Sequence, residues 1–130
     1  MHSKDVKVNL IDIGSVGGIE EPWKIRYVNN LIQFEPNESE VIQNNYWKYP
    51  FAITNANKID KFYVYGNKGT GSSLKKQNIE WFKKYYNSVS DFGDRRLNQS
   101  WLERSELKKC FDVECVTLDN FLNNNRKNLN

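Results

Sequence analysis

A chain of 130 residues gives one domain with a modest core. Its 38% hydrophobic share, with 7 Phe, 7 Tyr and 4 Trp, suits a folded globule and argues against disorder. A net charge of +3, with lysines scattered among Asp and Glu, describes a solvated surface rather than a nucleic-acid face. No apolar run approaches the roughly 20 residues needed to span a bilayer, and no charged-then-apolar leader opens the sequence. His2 is the only histidine, which excludes a histidine-based metal site or triad within these residues, and no metal is expected. Cys110 and Cys115 stand five apart, outside metal and redox spacings, and suit a reducing cytoplasm.

After a polar lead over residues 1–6, strand one spans 7–13. Apolar Val8, Leu10, Ile11 and Ile13 run into a turn carrying Gly14, Gly17 and Gly18, as expected of a parallel strand covered on both faces. Residues 21–29 make a short helix or turn with Pro22 at its first position. Trp23 and Tyr27 share a face there, and the aromatic pair suits core packing better than ligand stacking. Strand two covers 30–34 and stops on Glu35. A helix is predicted over 38–46, with Asn37 as its N-cap and Glu40 closing a capping box.

Strand three is expected over 49–54, with Asn55 at its C-terminal end. Lys61 to Tyr65 alternates as an additional strand, and residues 66–73 form a flexible loop. Asn78 to Tyr86 reads as an amphipathic helix with Ile79, Phe82 and Tyr86 on one side. Residues 87–109 are polar and mixed. Phe111 to Val116 alternates as a strand, with Phe111, Val113 and Cys115 facing one way. Thr117 caps a short helix through Leu122, and 123–130 is a polar linker.

The glycine turn and Glu35 carry the chemistry. Glycine permits positive φ and lets a ligand approach the main chain with no Cβ in the way. Glu35 follows Gly18 by 17 residues, close to the roughly 20-residue spacing at which an acid reaches ribose hydroxyls. The pattern is Gly-x-x-Gly-Gly rather than Gly-x-Gly-x-x-Gly, and Glu20 and Glu21 follow at once. Two carboxylates beside the turn repel a pyrophosphate but tolerate the sulfonium of S-adenosylmethionine. That cofactor is therefore favoured over NAD. Asp12, Gly14, Ser15, Gly17 and Gly18 would surround its methionine part, and Glu35 would hold the ribose diol. Asn55 would meet the adenine edge. The bland alternatives are that Asp12 braces the loop, Glu35 is a solvated strand-terminal acid and Asn55 serves a turn.

Five segments stand in the order seen in one family: Asp12-Ile13-Gly14-Ser15-Val16-Gly17-Gly18, Phe34-Glu35-Pro36-Asn37, Phe51-Ala52-Ile53-Thr54-Asn55, Thr70-Gly71-Ser72-Ser73-Leu74 and Val116-Thr117-Leu118-Asp119-Asn120-Phe121-Leu122. Over residues 7 to 122 the chain resembles FkbM-type S-adenosylmethionine-dependent methyltransferases, with Ser15-Val16 departing from the commoner Ala-Asn. The resemblance implies an α/β fold, the N-terminal part of a Rossmann-like class I methyltransferase with sheet order 3-2-1-4-5-7-6. It also implies O-methylation of a sugar or natural-product hydroxyl, with Ser72 and Ser73 near the acceptor as substrate-binding residues. No catalytic base is assigned.

The sequence stops before the fourth core strand of that family. The expectation is thus that residues 1–130 are the cofactor-binding part of one methyltransferase domain, a fragment without turnover alone. Strand one would then be an apolar edge open to pairing with a second copy. Expected partners are a small-molecule or glycan acceptor, with no nucleic acid and no membrane. Two rivals are a non-catalytic Rossmann-like interaction domain and an RNA-binding module.

Overall fold

The structure is a computed structural model that describes residues 7–19, 27–69, 71–86 and 104–125. It is mixed α/β, with two small mixed sheets and few helices. Two compact units divide the chain, one of residues 1–59 with 113–130 and the other of residues 60–112.

The first unit is built on β1 (Val8–Ile13), β2 (Val28–Phe34), β3 (Val41–Gln43) and β4 (Tyr46–Tyr49), in sheet order β1-β2-β4-β3. β1 and β4 each run parallel to β2, with Ile13 opposite Phe34 and Phe34 opposite Tyr49. β2 is central, and every residue from Asn30 to Phe34 is buried, Asn30 and Gln33 with hydrogen bonds to Asn9 and Asp12 on β1. The two-sided cover expected of strand one belongs to β2 instead. β1 lies at the edge of the described sheet, its apolar residues half-buried except for exposed Ile13.

The strand predicted over 30–34 begins two residues earlier, so Val28 and Asn29 belong to β2 and not to the predicted segment 21–29. Trp23 lies outside the described residues. The helix predicted over 38–46 is a β-hairpin instead. β3 runs antiparallel to β4, with Val41 opposite Lys48 and Gln43 opposite Tyr46. Asn44 and Asn45 make its two-residue turn, and Asn45 takes φ 65°, a left-handed conformation that Asn tolerates. Val41, Ile42, Tyr46 and Trp47 favour pleated pairing, and that preference with the Asn-Asn turn outweighs the capping signal at Asn37. Strand three is also divided. β4 ends at Tyr49, Pro50 interrupts the ladder, and β5 (Ala52–Ile53) belongs to the second sheet.

That second sheet has the order β5-β7-β6, with β6 at Lys58–Tyr65 and β7 at Leu107–Val116. β5 runs parallel to β7, pairing Ala52 with Cys115 and Ile53 with Val116. β7 alternates as predicted: Val113 and Cys115 are buried while Asp112 and Glu114 are exposed. Two helices complete the description, α1 (Ile79–Tyr86) and α2 (Leu118–Asn124). Thr117 caps α2 as expected, its side chain accepting from the Asn120 N–H at 3.1 Å. The helix runs to Asn124, so the first two residues of the predicted linker are helical.

The core of the first unit gathers Ile32, Phe34, Tyr49 and Phe121, with Ile11, Trp47, Leu118 and Leu122 packed around them. Phe121 meets Phe34 and Tyr49 edge-on, at centroid distances of 4.8 and 4.9 Å, a geometry that adds to the burial of each ring. Among the described residues no helix is long and apolar enough to cross a membrane.

Candidate functional site

The C-terminal ends of β1 and β2 lie side by side because the two strands are parallel and in register at Ile13 and Phe34. Each strand is followed by a turn. After β1 the Gly14 N–H donates to the Phe34 carbonyl at 2.9 Å, and the Gly18 N–H closes on the Ser15 carbonyl at 3.0 Å. Gly14, Gly17 and Gly18 take φ of 78°, 82° and 91°, and a Cβ added at any of them would meet nothing within 4 Å. The turn therefore presents main chain to open space. A non-glycine residue adopts those dihedrals only at a cost.

Glu35 closes β2 beside this turn. It is 4% exposed, its Oε1 accepts the Asn37 N–H at 3.0 Å, and the Val16 N–H also donates to its carboxylate. Burial is the main cause that pushes Glu35 above the usual carboxylate range, and the charge on Glu38 adds to it. The two main-chain donors and Lys48 oppose the shift in part. Two buried oxygens in the same two turns, Ser15 Oγ and Asn37 Oδ1, have no hydrogen-bond partner among the described residues. Such orphans are uncommon in folded proteins.

Asp12 is engaged otherwise. Its Oδ2 accepts from Gln33 Nε2 at 3.1 Å, and Gln33 Oε1 accepts from the Tyr46 hydroxyl at 2.8 Å. This polar ladder crosses β1, β2 and β4 and braces the strand ends. Asp12 thus ties β1 to β2, whereas the alternative reading had it brace the loop.

Glu38 and Lys48 enter the site without having been singled out in the sequence. Glu38 Oε1 lies 3.4 Å from the Gly17 nitrogen and accepts from it, while Oε2 pairs with Lys48 Nζ. The Lys48 side chain is 12% exposed. Burial pulls its ammonium down, but hydrogen bonds and charge from Glu38, with Tyr46 adding, outweigh burial and leave it raised. The hairpin is what delivers Lys48, which lay between the helix predicted over 38–46 and the strand predicted over 49–54. The signal available in advance was a lysine within the β-favouring run Tyr46-Trp47-Lys48-Tyr49.

The other predicted residues make local contacts of their own. Asn55 is exposed in the bend after β5, where the Thr54 hydroxyl donates to the Ala56 carbonyl at 2.7 Å, an arrangement in keeping with turn chemistry. Ser72 and Ser73 belong to the second unit. Ser72 Oγ accepts from the Tyr65 N–H at 3.3 Å, and Ser73 Oγ accepts from the Lys75 N–H at 3.0 Å. Comparison of the chain with protein-family models, with curated proteins and with solved structures finds no match.

Proposed function

We propose that this chain is an S-adenosylmethionine-dependent methyltransferase component whose cofactor site is the pair of turns after β1 and β2. The observation that carries the reading is the juxtaposition of an open glycine turn, Gly14 to Gly18, with the acid closing the adjacent parallel strand, Glu35. Ligands of open α/β sheets sit outside the carboxyl ends of the strands, and the parallel order β1-β2-β4 supports a Rossmann-like reading of this sheet. The residues fit the group. Three open glycines leave room against the main chain, Ser15 and Asn37 offer unpartnered oxygens, and Glu35 supplies an acceptor for a diol.

On this reading Gly14 to Gly18 hold the amino-acid end and Glu35 the ribose, and Asp12 keeps the two strand ends in place. S-adenosylmethionine supplies an electrophilic methyl group on a sulfonium. The chain's part is to bind and orient that group, with a hydroxyl of a sugar or natural product as the proposed acceptor. Thermal denaturation with S-adenosylhomocysteine tests the reading. Binding to the folded state must raise the melting temperature, and Glu35→Ala must abolish most of the rise.

A second reading has its own observation. Glu35 is deeply buried and already accepts two main-chain N–H groups, as a purely structural acid would. A non-catalytic interaction domain predicts no melting shift at millimolar ligand while circular dichroism reports a folded chain.

A further inference from the structure

Glu38 stands where an anion would be welcome. Its carboxylate bridges the Gly17 N–H, in the open glycine turn, and the ammonium of Lys48 on β4, whose side chain is half-buried. The two contacts are unequal. The 3.4 Å approach to Gly17 is longer than ordinary N–H···O bonds of roughly 2.7–3.2 Å and is readily exchanged. The Lys48 ammonium carries three donor hydrogens, so one carboxylate does not exhaust it.

We infer that the Gly17 N–H and Lys48 form a carboxylate-binding cradle that Glu38, an acid of the chain itself, fills. The ligand class is a carboxylate borne on a molecule seated over the glycine turn. Resting on the cofactor reading above, the inference assigns to this cradle the carboxylate of the donor's amino-acid end. Glu38 then opposes that carboxylate twice, by occupying the Gly17 N–H and by like-charge repulsion across a short distance. A self-occupied site lowers apparent affinity by the fraction of time it is filled. Glu38 thus sets how much ligand is needed, and Lys48 selects for the acidic end. Of the two unpartnered oxygens in these turns, only the Ser15 hydroxyl can donate to a carboxylate, whereas Asn37 Oδ1 accepts and suits the ammonium of the same amino-acid end.

Titration calorimetry with two ligands separates this inference from the reading beneath it. S-adenosylhomocysteine carries the amino-acid end, whereas 5′-methylthioadenosine keeps the adenosine and lacks both carboxylate and amine. Glu38→Gln, isosteric and uncharged, should tighten S-adenosylhomocysteine by about tenfold and leave 5′-methylthioadenosine within twofold. Glu38→Ala should act in the same direction. Lys48→Gln, checked for folding by circular dichroism, should weaken only S-adenosylhomocysteine. Equal response of both ligands to Glu38→Gln, or no response by either, overturns the cradle while leaving the cofactor reading in place. Failure of both ligands to bind the unaltered chain overturns both.

Discussion

Two glycine-bearing loops show how one residue type serves opposite ends. In the turn after β1, glycines hold positive φ and face open space, so the main chain is presented outward. In the loop after β6 the chain is closed upon itself. The Gly69 N–H donates to the Gly66 carbonyl, the Ser72 N–H to the Gly69 carbonyl, and Gln77 Nε2 to the Gly71 carbonyl. A Cβ on Gly71 would collide with the Arg104 carbonyl oxygen and lie 3.3 Å from Tyr65 Cβ. Both loops close main-chain hydrogen bonds on themselves, but a side chain has room at Gly14, Gly17 and Gly18 and none at Gly71. A glycine-rich stretch in a sequence does not reveal which case holds.

The largest effect that would sharpen this contrast is expected at Gly71. The obstacle there is backbone, which cannot swing aside, so Gly71→Ala should destabilise by about 1–3 kcal/mol as an overpacked site does. Urea denaturation measures it, and an unchanged midpoint would show that the loop yields. Gly17→Ala makes the complementary test. No atom obstructs the new methyl group, leaving only the cost of a left-handed backbone, about 1 kcal/mol. Its loss of S-adenosylhomocysteine affinity should exceed its loss of stability. If stability alone falls, the open turn is not a binding surface.

The difference between the loops also marks where the sequence was legible. β1, β2 and the proximity of Glu35 to the glycine turn could be foreseen, because apolar runs and a local turn need only neighbours in the chain. The Thr117 cap was legible for the same reason. The segment Glu38 to Tyr46 was not. Asn37 and Glu40 offered a helix start, while Asn44-Asn45 offered a turn between β-favouring pairs. Pairing of β4 alongside β2 decided between them. That competition between local propensity and tertiary pairing is ordinary for strands. The same misjudged segment concealed the Glu38–Lys48 pair, whose partners meet only through the hairpin.

The smallest expected effect bears on whether Glu35 belongs with the presented turn or with the packed interior. Burial and the neighbouring charge of Glu38 raise its carboxyl above the usual range, so the folded chain holds that proton more firmly than the unfolded one. A group raised in this way contributes stability that is fully present below the unfolded value. The contribution is lost as pH rises through the folded value. Glu35→Gln keeps an acceptor for the Asn37 N–H and removes the titration. Any change in hydrogen bonding to Val16 shifts its stability by a constant, so the diagnostic is slope rather than level. Urea midpoints measured from acid to neutral pH should show the variant gaining on the unaltered chain as pH climbs out of the carboxylate range, with the gap then flat. A pH-independent difference would mean that the main-chain donors and Lys48 offset the burial of Glu35 in full, so that its carboxylate stays charged inside the folded chain.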